Sequence, residues 1–353
     1  MISYLIVGSG YRGEFFARIA GKHPSLFRAL MLCRTAEKAA AVSARTGIPA
    51  TASREEALAF RPDFAVVAVD RGHVADVTAE WARRGLPVLA ETPVGASMEQ
   101  LRRIWDLHRS TSAKISCCEQ YHRYPLLAAG LAEVARGRIG TPLSLYLSLA
   151  HEYHGFSLIR RLLGIGNELY TLRALRAVHP VTATDSRCGA ILDGSTAEEA
   201  RDTAYLAFAS GKTAVYDFSP LQYRSFIRSR HLVLRGDRGE WNDRMMTFVN
   251  AQNEPERLFL LPELPVSYRM LDTQALRDLR KTWTPELFLD TEQDEFAAAS
   301  LLLDMGAWLR GGPAPYPLTE ALDDAYFWLL LQEAAQRPGE PLSAPRLPWH
   351  SEG

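Results

Sequence analysis

Cysteine is scarce in this sequence, and its placement argues against a disulfide framework. The chain has four cysteines in 353 residues, none in a Cys-x-x-Cys spacing, and two of them, Cys117 and Cys118, are adjacent. Adjacent cysteines cannot easily pair with each other, and a chain of this length does not need disulfides to build a core. We therefore predict four reduced thiols and a cytoplasmic protein.

The sequence also lacks an excess of charge and a long apolar run. It carries 40 Lys+Arg against 41 Asp+Glu, for a net charge of −1, and neither sign gathers into a long block. No basic leader precedes the first apolar segment, and no apolar run approaches the roughly 20 residues that a membrane span needs. We expect a small-molecule partner, with no nucleic acid and no membrane.

Strands and helices alternate through the N-terminal third of the chain. The apolar runs are short and continuous, which is typical of parallel strands covered on both faces. Ser53 and Ser97 each open a capping-box pattern at a helix start. The pattern predicts a doubly wound parallel α/β sheet, a Rossmann domain. The predicted strands are residues 4–7, 27–32, 64–69, 86–90 and 115–118.

A glycine motif lies between the first predicted strand and the first predicted helix. Gly8, Gly10 and Gly13 match G-x-G-x-x-G. The first glycine permits a tight turn, the second lets the backbone approach a pyrophosphate, and the third allows close packing of helix on strand. In this context the motif predicts dinucleotide binding at the helix N-terminus, with Ser9, Tyr11 and Arg12 beside the phosphates.

The end of the second strand predicts which dinucleotide binds. NAD sites usually place Asp or Glu there, whereas this chain has Arg34 and Thr35, with Lys38 one turn later. A cation and a hydroxyl suit a 2′-phosphate, so we predict NADP(H) over NAD(H). Arg34 as a solvated loop residue is the alternative. The end of the predicted strand at residues 64–69 and the segment after it are expected to line the same groove through Val69, Asp70 and Arg71.

Four later segments join the glycine motif in one family pattern. They are Glu91-Thr92-Pro93, the run from Glu119 to Pro125, His154 with the Arg160-Arg161-Leu162-Leu163-Gly164 run after it, and residues 234–240. In this order, and over nearly the whole chain, the sequence resembles the glucose–fructose oxidoreductase/inositol dehydrogenase (Gfo/Idh/MocA) family.

The resemblance implies an NAD(P)-dependent oxidoreductase acting on CH–OH groups of sugars, cyclitols or related polyols. It also implies a second domain built on a large open, mostly antiparallel sheet, and a homodimer or homotetramer. The expected domains are residues 1–118, which bind the dinucleotide, and residues 119–318, which bind substrate and form oligomers. A helix at about residues 319–337 is expected to pack back on the first domain.

Two positions depart from the family pattern. The lysine of the family's Glu-Lys-Pro is Thr92 here, and the aspartate four residues before the active-site histidine is Ala150. The resemblance assigns the acid/base role to His154, and His151 and Tyr153 are nearby candidates to replace the missing groups. The two histidines are three residues apart rather than four, so a zinc site of the His-Glu-x-x-His type is a weak alternative and no metal is expected. A helix is predicted over residues 156–163.

Further residues are predicted to line the site. Glu91, Thr92 and Gln120 are expected at the cofactor, Gln120 because the family often has an amide near the nicotinamide. The expected substrate-binding residues are Glu119, Gln120, Tyr121, His122, Tyr223 and Arg228, and each has an alternative role in the core or between domains.

Three functions are compatible with the sequence. The first is a sugar or polyol oxidoreductase. The second is a glycosidase that oxidises and re-reduces its substrate with the dinucleotide kept bound. The third is a dinucleotide-binding sensor or regulatory protein, suggested by the missing lysine and aspartate.

Overall fold

The computed structural model describes residues 1–186, 189–261 and 291–350. Contacts within the chain divide these residues into two compact units. Unit 1 comprises residues 1–120 and 291–326, and unit 2 comprises residues 121–186, 189–261 and 327–350.

Unit 1 contains a six-stranded, wholly parallel sheet in the order β3-β2-β1-β4-β5-β6, the Rossmann order. Its strands are β1 (Ile2–Val7), β2 (Phe27–Leu32), β3 (Ala50–Thr51), β4 (Phe64–Val67), β5 (Val88–Ala90) and β6 (Ile115–Cys117). The connecting helices are α1 (Tyr11–Lys22), α2 (Ala36–Thr46), α3 (Arg54–Ala59), α4 (Val74–Arg83) and α5 (Met98–Thr111).

Local signals in the sequence explain where these elements begin. Ser53 and Ser97 accept hydrogen bonds from the backbone N–H groups of Glu56 and Gln100, as expected of N-caps. All of β4 and β5 is buried, which fits their continuous apolar sequence. The predicted parallel α/β fold of the N-terminal region is confirmed.

Unit 2 is built on a nine-stranded mixed sheet in the order β16-β15-β14-β13-β7-β12-β11-β8-β17 within the described residues, and only β7 and β12 pair in parallel. Its sheet strands are β7 (Pro142–Ser148), β8 (Tyr170–Thr182), β11 (Thr196–Phe208), β12 (Thr213–Phe218), β13 (His231–Gly236), β14 (Gly239–Asn242), β15 (Met245–Val249), β16 (Pro255–Phe259) and β17 (Leu342–Ser343). The short strands β9 (Asp185–Ser186) and β10 (Gly189–Ala190) form a separate hairpin, and the helices are α6 (Pro125–Ala135) and α7 (Glu152–Leu163). The predicted large, mostly antiparallel sheet is confirmed.

Two elements of unit 2 differ from the sequence prediction. The alternating sequence of residues 181–191 predicts a strand there, but the structure has the longer β8, which ends at Thr182 and pairs with β11 over thirteen residues. Much of the distal half of β8 is exposed, so its sequence lacks the apolar alternation of a covered strand. Helix α7 begins at Glu152 rather than at 156, because a distant hydroxyl caps its first turn, as described below.

Two closing helices follow, α8 (Thr291–Leu309) and α9 (Leu318–Ala335). Within unit 1, Glu295 of α8 forms ion pairs with Arg18 and Lys22 of α1. The Cα of Gly306 lies against Ile2, where an added Cβ would come within 2.5 Å of the side chain. The start of α8 is therefore fixed to the first βα unit by charge, and its end by close packing.

The structure describes three of the four cysteines. Cys33, Cys117 and Cys118 are buried thiols outside any disulfide, and Cys188 lies outside the described residues.

In the part of the chain that is described, no helix is both long enough and apolar enough to cross a membrane.

Candidate functional site

The carboxyl ends of the parallel strands in unit 1 bring the predicted cofactor residues to one edge of the sheet. Gly8 follows β1, Arg34 and Thr35 follow β2, and Asp70 follows β4. Glu91 follows β5, and Gln120 lies three residues beyond β6. In an open α/β sheet this edge is where ligands bind.

The glycine turn after β1 has the geometry that a pyrophosphate requires. Gly8 has φ +124°, and an added Cβ would lie 2.2 Å from the carbonyl oxygen of Ala68. A Cβ on Gly13 would lie 2.3 Å from the carbonyl oxygen of Gly8, so helix and turn pack without side chains. At Gly10 nothing lies within 4 Å of the Cβ position, and no side chain caps α1. The turn therefore leaves open space in front of helix N–H groups that can bind phosphate.

Gln120 supplies a second feature that fits a nicotinamide dinucleotide. The side chain is buried, and its Nε2 donates to Asp294 Oδ1 at 2.8 Å. Among the described residues, its Oε1 has no hydrogen-bond partner. A buried acceptor without a partner is costly unless a ligand donates to it, and a carboxamide N–H is such a donor. The residues present thus fit a dinucleotide at both its phosphate and its amide.

Arg12 forms the centre of a partly buried ionic network in unit 1. Its Nε donates to Glu91 Oε1 at 2.7 Å, its Nη1 donates to Asp294 Oδ2 at 3.1 Å, and its guanidinium lies 4.0 Å from the ring centre of Phe15. Burial would lower the pKa of Arg12, but Glu91 and Asp294 outweigh it and raise the pKa above its usual value. The guanidinium is thus a fixed charge that orients Glu91, and through Asp294 also Gln120.

The end of β2 presents an exposed cation and a hydroxyl. Arg34, Thr35 and Lys38 are all exposed, and Thr35 Oγ1 accepts the backbone N–H of Lys38 as the N-cap of α2. Cys33 is buried just before them, and burial raises the pKa of its thiol against the opposing effects of Ser9 and Lys38. The chain has no carboxylate at residues 33–35.

The other predicted cofactor residues occupy the same edge with different exposure. Tyr11 and Arg71 are exposed, whereas Val69 is half-buried. Asp70 Oδ1 accepts the backbone N–H of Gly72, which starts a short turn after β4. Thr92 is half-buried, and its backbone N–H donates to Glu91 Oε2 at 3.2 Å.

Unit 2 contains a cluster of two histidines and three tyrosines, which we call the His–Tyr cluster: Tyr121, His151, Tyr153, His154 and Tyr223. Tyr223 Oη lies 2.5 Å from His151 Nδ1, and His151 Nε2 lies 2.9 Å from Tyr153 Oη. The ring of His154 lies 4.4 Å from that of Tyr121 and 4.8 Å from that of His151, measured between centres. Five residues predicted from sequence therefore meet in one place.

A tyrosine on β12 fixes the turn that carries this cluster. The backbone N–H of Glu152 donates to Tyr216 Oη at 2.7 Å, so the first turn of α7 is capped by a residue 64 positions away. Glu152 has φ +42°, a left-handed conformation that non-glycine residues rarely adopt. An added Cβ on Gly155 would lie 2.5 Å from the Tyr216 ring, so only glycine lets the helix approach this closely.

Two residues of unit 2 that were predicted to bind substrate, Arg228 and His122, lie near charged side chains. Arg228 forms a two-pronged ion pair with Glu199, its Nη2 lying 2.7 Å from Oε2. Burial and the charges of Arg161, Arg123 and Arg160 lower the pKa of His122 well below 6.5, so its imidazole is neutral. In unit 1, Glu119 is almost completely buried.

Sequence reasoning missed two residues that shape these sites, Asp294 and Tyr216. Asp294 orients Gln120 and Arg12, and Tyr216 caps α7. Each acts across a long sequence separation, and no local pattern marks it. Arg230, only seven residues after Tyr223, lies with its guanidinium carbon 5.0 Å from the ring centre of that tyrosine.

Comparison with known families agrees with the site in unit 1. Residues 2–118 match the Gfo/Idh/MocA family, described as an oxidoreductase family with an NAD-binding Rossmann fold. The resemblance inferred from the sequence is thereby confirmed for residues 2–118. No curated protein sequence matches the chain.

Solved structures share the fold of nearly the whole chain at low identity. An NAD-binding oxidoreductase from Klebsiella pneumoniae is 13% identical, with a TM-score of 0.71, over 98% of this chain and 100% of the other. A putative myo-inositol dehydrogenase from Sinorhizobium meliloti 1021 is 16% identical, with a TM-score of 0.66, over 98% and 100%. Levoglucosan dehydrogenase in complex with NADH and levoglucosan is 14% identical, with a TM-score of 0.70, over 98% and 99%.

Proposed function

We propose that this chain, whose residues 2–118 belong to the Gfo/Idh/MocA oxidoreductase family, is an NADP(H)-dependent oxidoreductase that moves a hydride to or from a sugar, cyclitol or related polyol. The observation that carries the proposal is the buried Oε1 of Gln120, which has no hydrogen-bond partner among the described residues. It lies on the sheet edge that also holds the uncapped glycine turn. Together they match the pyrophosphate and the nicotinamide carboxamide of a dinucleotide.

The preference for NADP(H) rests on the end of β2. Arg34, Thr35 and Lys38 are exposed, and no carboxylate lies at residues 33–35 to bind a ribose 2′-hydroxyl. A guanidinium and an ammonium are well suited to a 2′-phosphate. Levoglucosan dehydrogenase, a structural relative, was solved with NADH, so the preference must come from residues of this chain.

The substrate class rests on the His–Tyr cluster and on the relatives. Tyrosine rings and hydroxyls suit a sugar, which offers both C–H faces and hydroxyl groups. One structural relative binds levoglucosan and another is a putative myo-inositol dehydrogenase. We propose that residues 119–318 bind the substrate, that residues 1–118 bind the dinucleotide, and that the active form is a homodimer or homotetramer.

His154 is proposed to exchange the substrate's hydroxyl proton. When bound, the dinucleotide supplies the hydride acceptor or donor. His154 is buried among Tyr121, His151 and Tyr153, which fix the orientation of its ring. Imidazole is suited to the role because it gains and loses a proton near neutral pH.

The experiment is to replace His154 by asparagine and measure turnover and cofactor binding separately. We expect His154→Asn to lower kcat by roughly 100-fold or more, the usual contribution of a positioned acid/base, and to leave the Kd for NADPH unchanged. His231→Asn is the matched control, since His231 lies in unit 2 and bonds Ser229 and Asp243 instead. Full turnover by His154→Asn would remove this residue from the mechanism.

A further inference from the structure

Four residues of the His–Tyr cluster form a continuous chain of hydrogen bonds. Tyr121 Oη lies 3.0 Å from Tyr223 Oη, and Tyr223 Oη lies 2.5 Å from His151 Nδ1. On its other side, His151 Nε2 lies 2.9 Å from Tyr153 Oη. The chain joins the short turn before α6, the loop after β12 and the first turn of α7, so it depends on the tertiary fold.

Tyr223 Oη lies at the centre of this chain. It accepts the backbone N–H of His151 at 3.0 Å and the hydroxyl of Tyr121, and it lies within hydrogen-bond distance of His151 Nδ1. In the tautomer that accepts at Nδ1, His151 carries its proton on Nε2 and donates to Tyr153 Oη. Hydroxyl and imidazole groups, which both donate and accept, can pass a proton along such a chain by successive short hops.

Charged and titratable groups surround the chain on several elements of unit 2. The guanidinium of Arg230, in the loop before β13, lies over the Tyr223 ring and donates to the carbonyl oxygens of Gln222 and Tyr223. His154, on α7, contacts His151. Glu152, which follows His151 in the sequence, donates its backbone N–H to Tyr216.

Exposure distinguishes the members of the cluster. His154, Tyr153 and Tyr121 are 6%, 5% and 7% exposed, whereas His151 and Tyr223 are partly open to solvent. A proton taken up by a buried His154 must still reach water before the next turnover. His151 and Tyr223 are the members of the cluster that reach water, and His151 touches His154 directly.

We propose that Tyr121, Tyr223, His151 and Tyr153 form a proton relay that connects His154 with solvent. The inference rests on the proposed function. In oxidation the substrate carbon loses a hydride to the bound oxidised nicotinamide, and the hydroxyl proton goes to His154. His151, whose ring lies 4.8 Å from that of His154, takes that proton, and the partly exposed Tyr223–His151 pair releases one proton to water. The product is the carbonyl compound, and the relay returns to its starting state.

The first test is chemical rescue of a relay variant. We expect Tyr223→Phe to lower kcat by roughly ten- to a hundredfold while leaving the Kd for NADPH unchanged. Added imidazole, a diffusible proton carrier, is expected to restore part of the rate in this variant and to leave the wild-type rate unchanged. The alkaline or acid limb of the kcat–pH profile should also move in Tyr223→Phe.

Tyr146→Phe is the matched control, because Tyr146 on β7 bonds Asp217 rather than the relay. It should show neither the loss of rate nor the response to imidazole. A Tyr223→Phe variant that keeps the wild-type rate overturns the relay. A slowed variant that imidazole does not rescue, with an unchanged pH profile, also overturns it, since that is the behaviour of a purely structural residue.

A second measurement needs no turnover. In ¹⁵N NMR spectra of the histidine side chains, with the signal of His151 assigned through His151→Asn, we expect Nε2 to be protonated and Nδ1 to change on Tyr223→Phe. An unresponsive His151 signal in an active enzyme overturns the relay alone. If the wild-type protein binds the dinucleotide but reacts with no sugar, the proposed function is overturned. The relay is then overturned with it, even where NMR detects the hydrogen bond between Tyr223 and His151.

Discussion

At the scale of single residues, the first turn of unit 1 depends on two glycines that face each other. The Cα of Gly13, in the first turn of α1, lies so close to Gly8 that a side chain at residue 13 would meet the carbonyl oxygen of residue 8. Gly21, near the end of the same helix, has open space at its Cβ position. The helix thus holds one glycine that the packing requires and one that it does not.

Gly13→Ala and Gly21→Ala are therefore expected to change stability in opposite directions. The clash at residue 13 should lower the free energy of unfolding by about 1–3 kcal/mol, as overpacking does, and weaken NADPH binding. At residue 21 alanine should be neutral or stabilising by up to about 1 kcal/mol, because glycine is the poorer helix former. Urea denaturation of both variants checks this, and equal effects would show that residue 13 is not tightly packed.

Arg34 is the residue on which the cofactor preference depends. We expect Arg34→Ala to weaken NADPH binding by about tenfold or more, which corresponds to about 1.4 kcal/mol, and to leave NADH binding nearly unchanged. Fluorescence titrations with both nucleotides measure this. Arg102→Ala removes an exposed arginine from α5 and serves as the control. Wild-type protein that binds NADH as tightly as NADPH would contradict the preference.

At the scale of elements, distant side chains decide where α7 starts. Sequence places a helix at 156–163, because Gly155 and the polar residues before it read as a loop. The structure starts it at Glu152, since Tyr216 of β12 accepts the first N–H and Gly155 admits the tyrosine ring. The earlier start places His154 inside the helix, and no sequence pattern within residues 150–156 predicts this start.

Ion pairing between β11 and its neighbours predicts a dependence of stability on pH. Hydrogen bonds from Arg228, aided by Arg201, lower the pKa of Glu199 from 4.5 to about 2. A carboxyl with a lowered folded-state pKa adds stability above its unfolded pKa and loses it as the pH falls from about 4.5 toward 2. Glu199 is therefore expected to stabilise the fold at neutral pH and not near pH 2.

Replacing Glu199 by glutamine tests this expectation. At pH 7, Glu199→Gln should lower the free energy of unfolding by about 2–3 kcal/mol, and the difference from wild type should shrink as the pH falls through the window. Urea denaturation across the pH range measures it. Glu254→Gln changes an exposed carboxylate in the loop before β16 and should have little effect. A difference that does not vary with pH would show that ionisation of Glu199 does not contribute.

At the scale of the whole molecule, the features that depend on local sequence patterns were predicted better than the features that depend on long-range contacts. The glycine turn, the serine caps and the apolar runs each act within a few residues, and they predicted the six-stranded region of unit 1, apart from the two-residue β3. The meeting of Tyr121, His151 and Tyr223 was expected only in outline, because their hydrogen bonds depend on how β7, α7 and the loop after β12 fold together.

The part played by residues 291–318 in unit 1 was not predicted for the same reason. Asp294 lies more than 170 residues from Gln120 in sequence, yet it orients the amide that we expect to meet the nicotinamide. Ser116 and Tyr316 exchange hydrogen bonds between β6 and the segment before α9. Periodicity shows that a segment is helical, but it does not show which strand the helix packs against.

The most direct measurement is a single-turnover scan of nicotinamide absorbance. Protein loaded with NADP⁺ or NADPH is mixed with sugars, keto-sugars, cyclitols and glycosides, and released products are followed in the same samples. We expect one class of sugar or polyol to change the nicotinamide absorbance in stoichiometric amount. Release of a glycoside's substituent without net change would indicate the redox-cycling glycosidase. Bound dinucleotide whose absorbance no compound changes would contradict the oxidoreductase and favour a sensor.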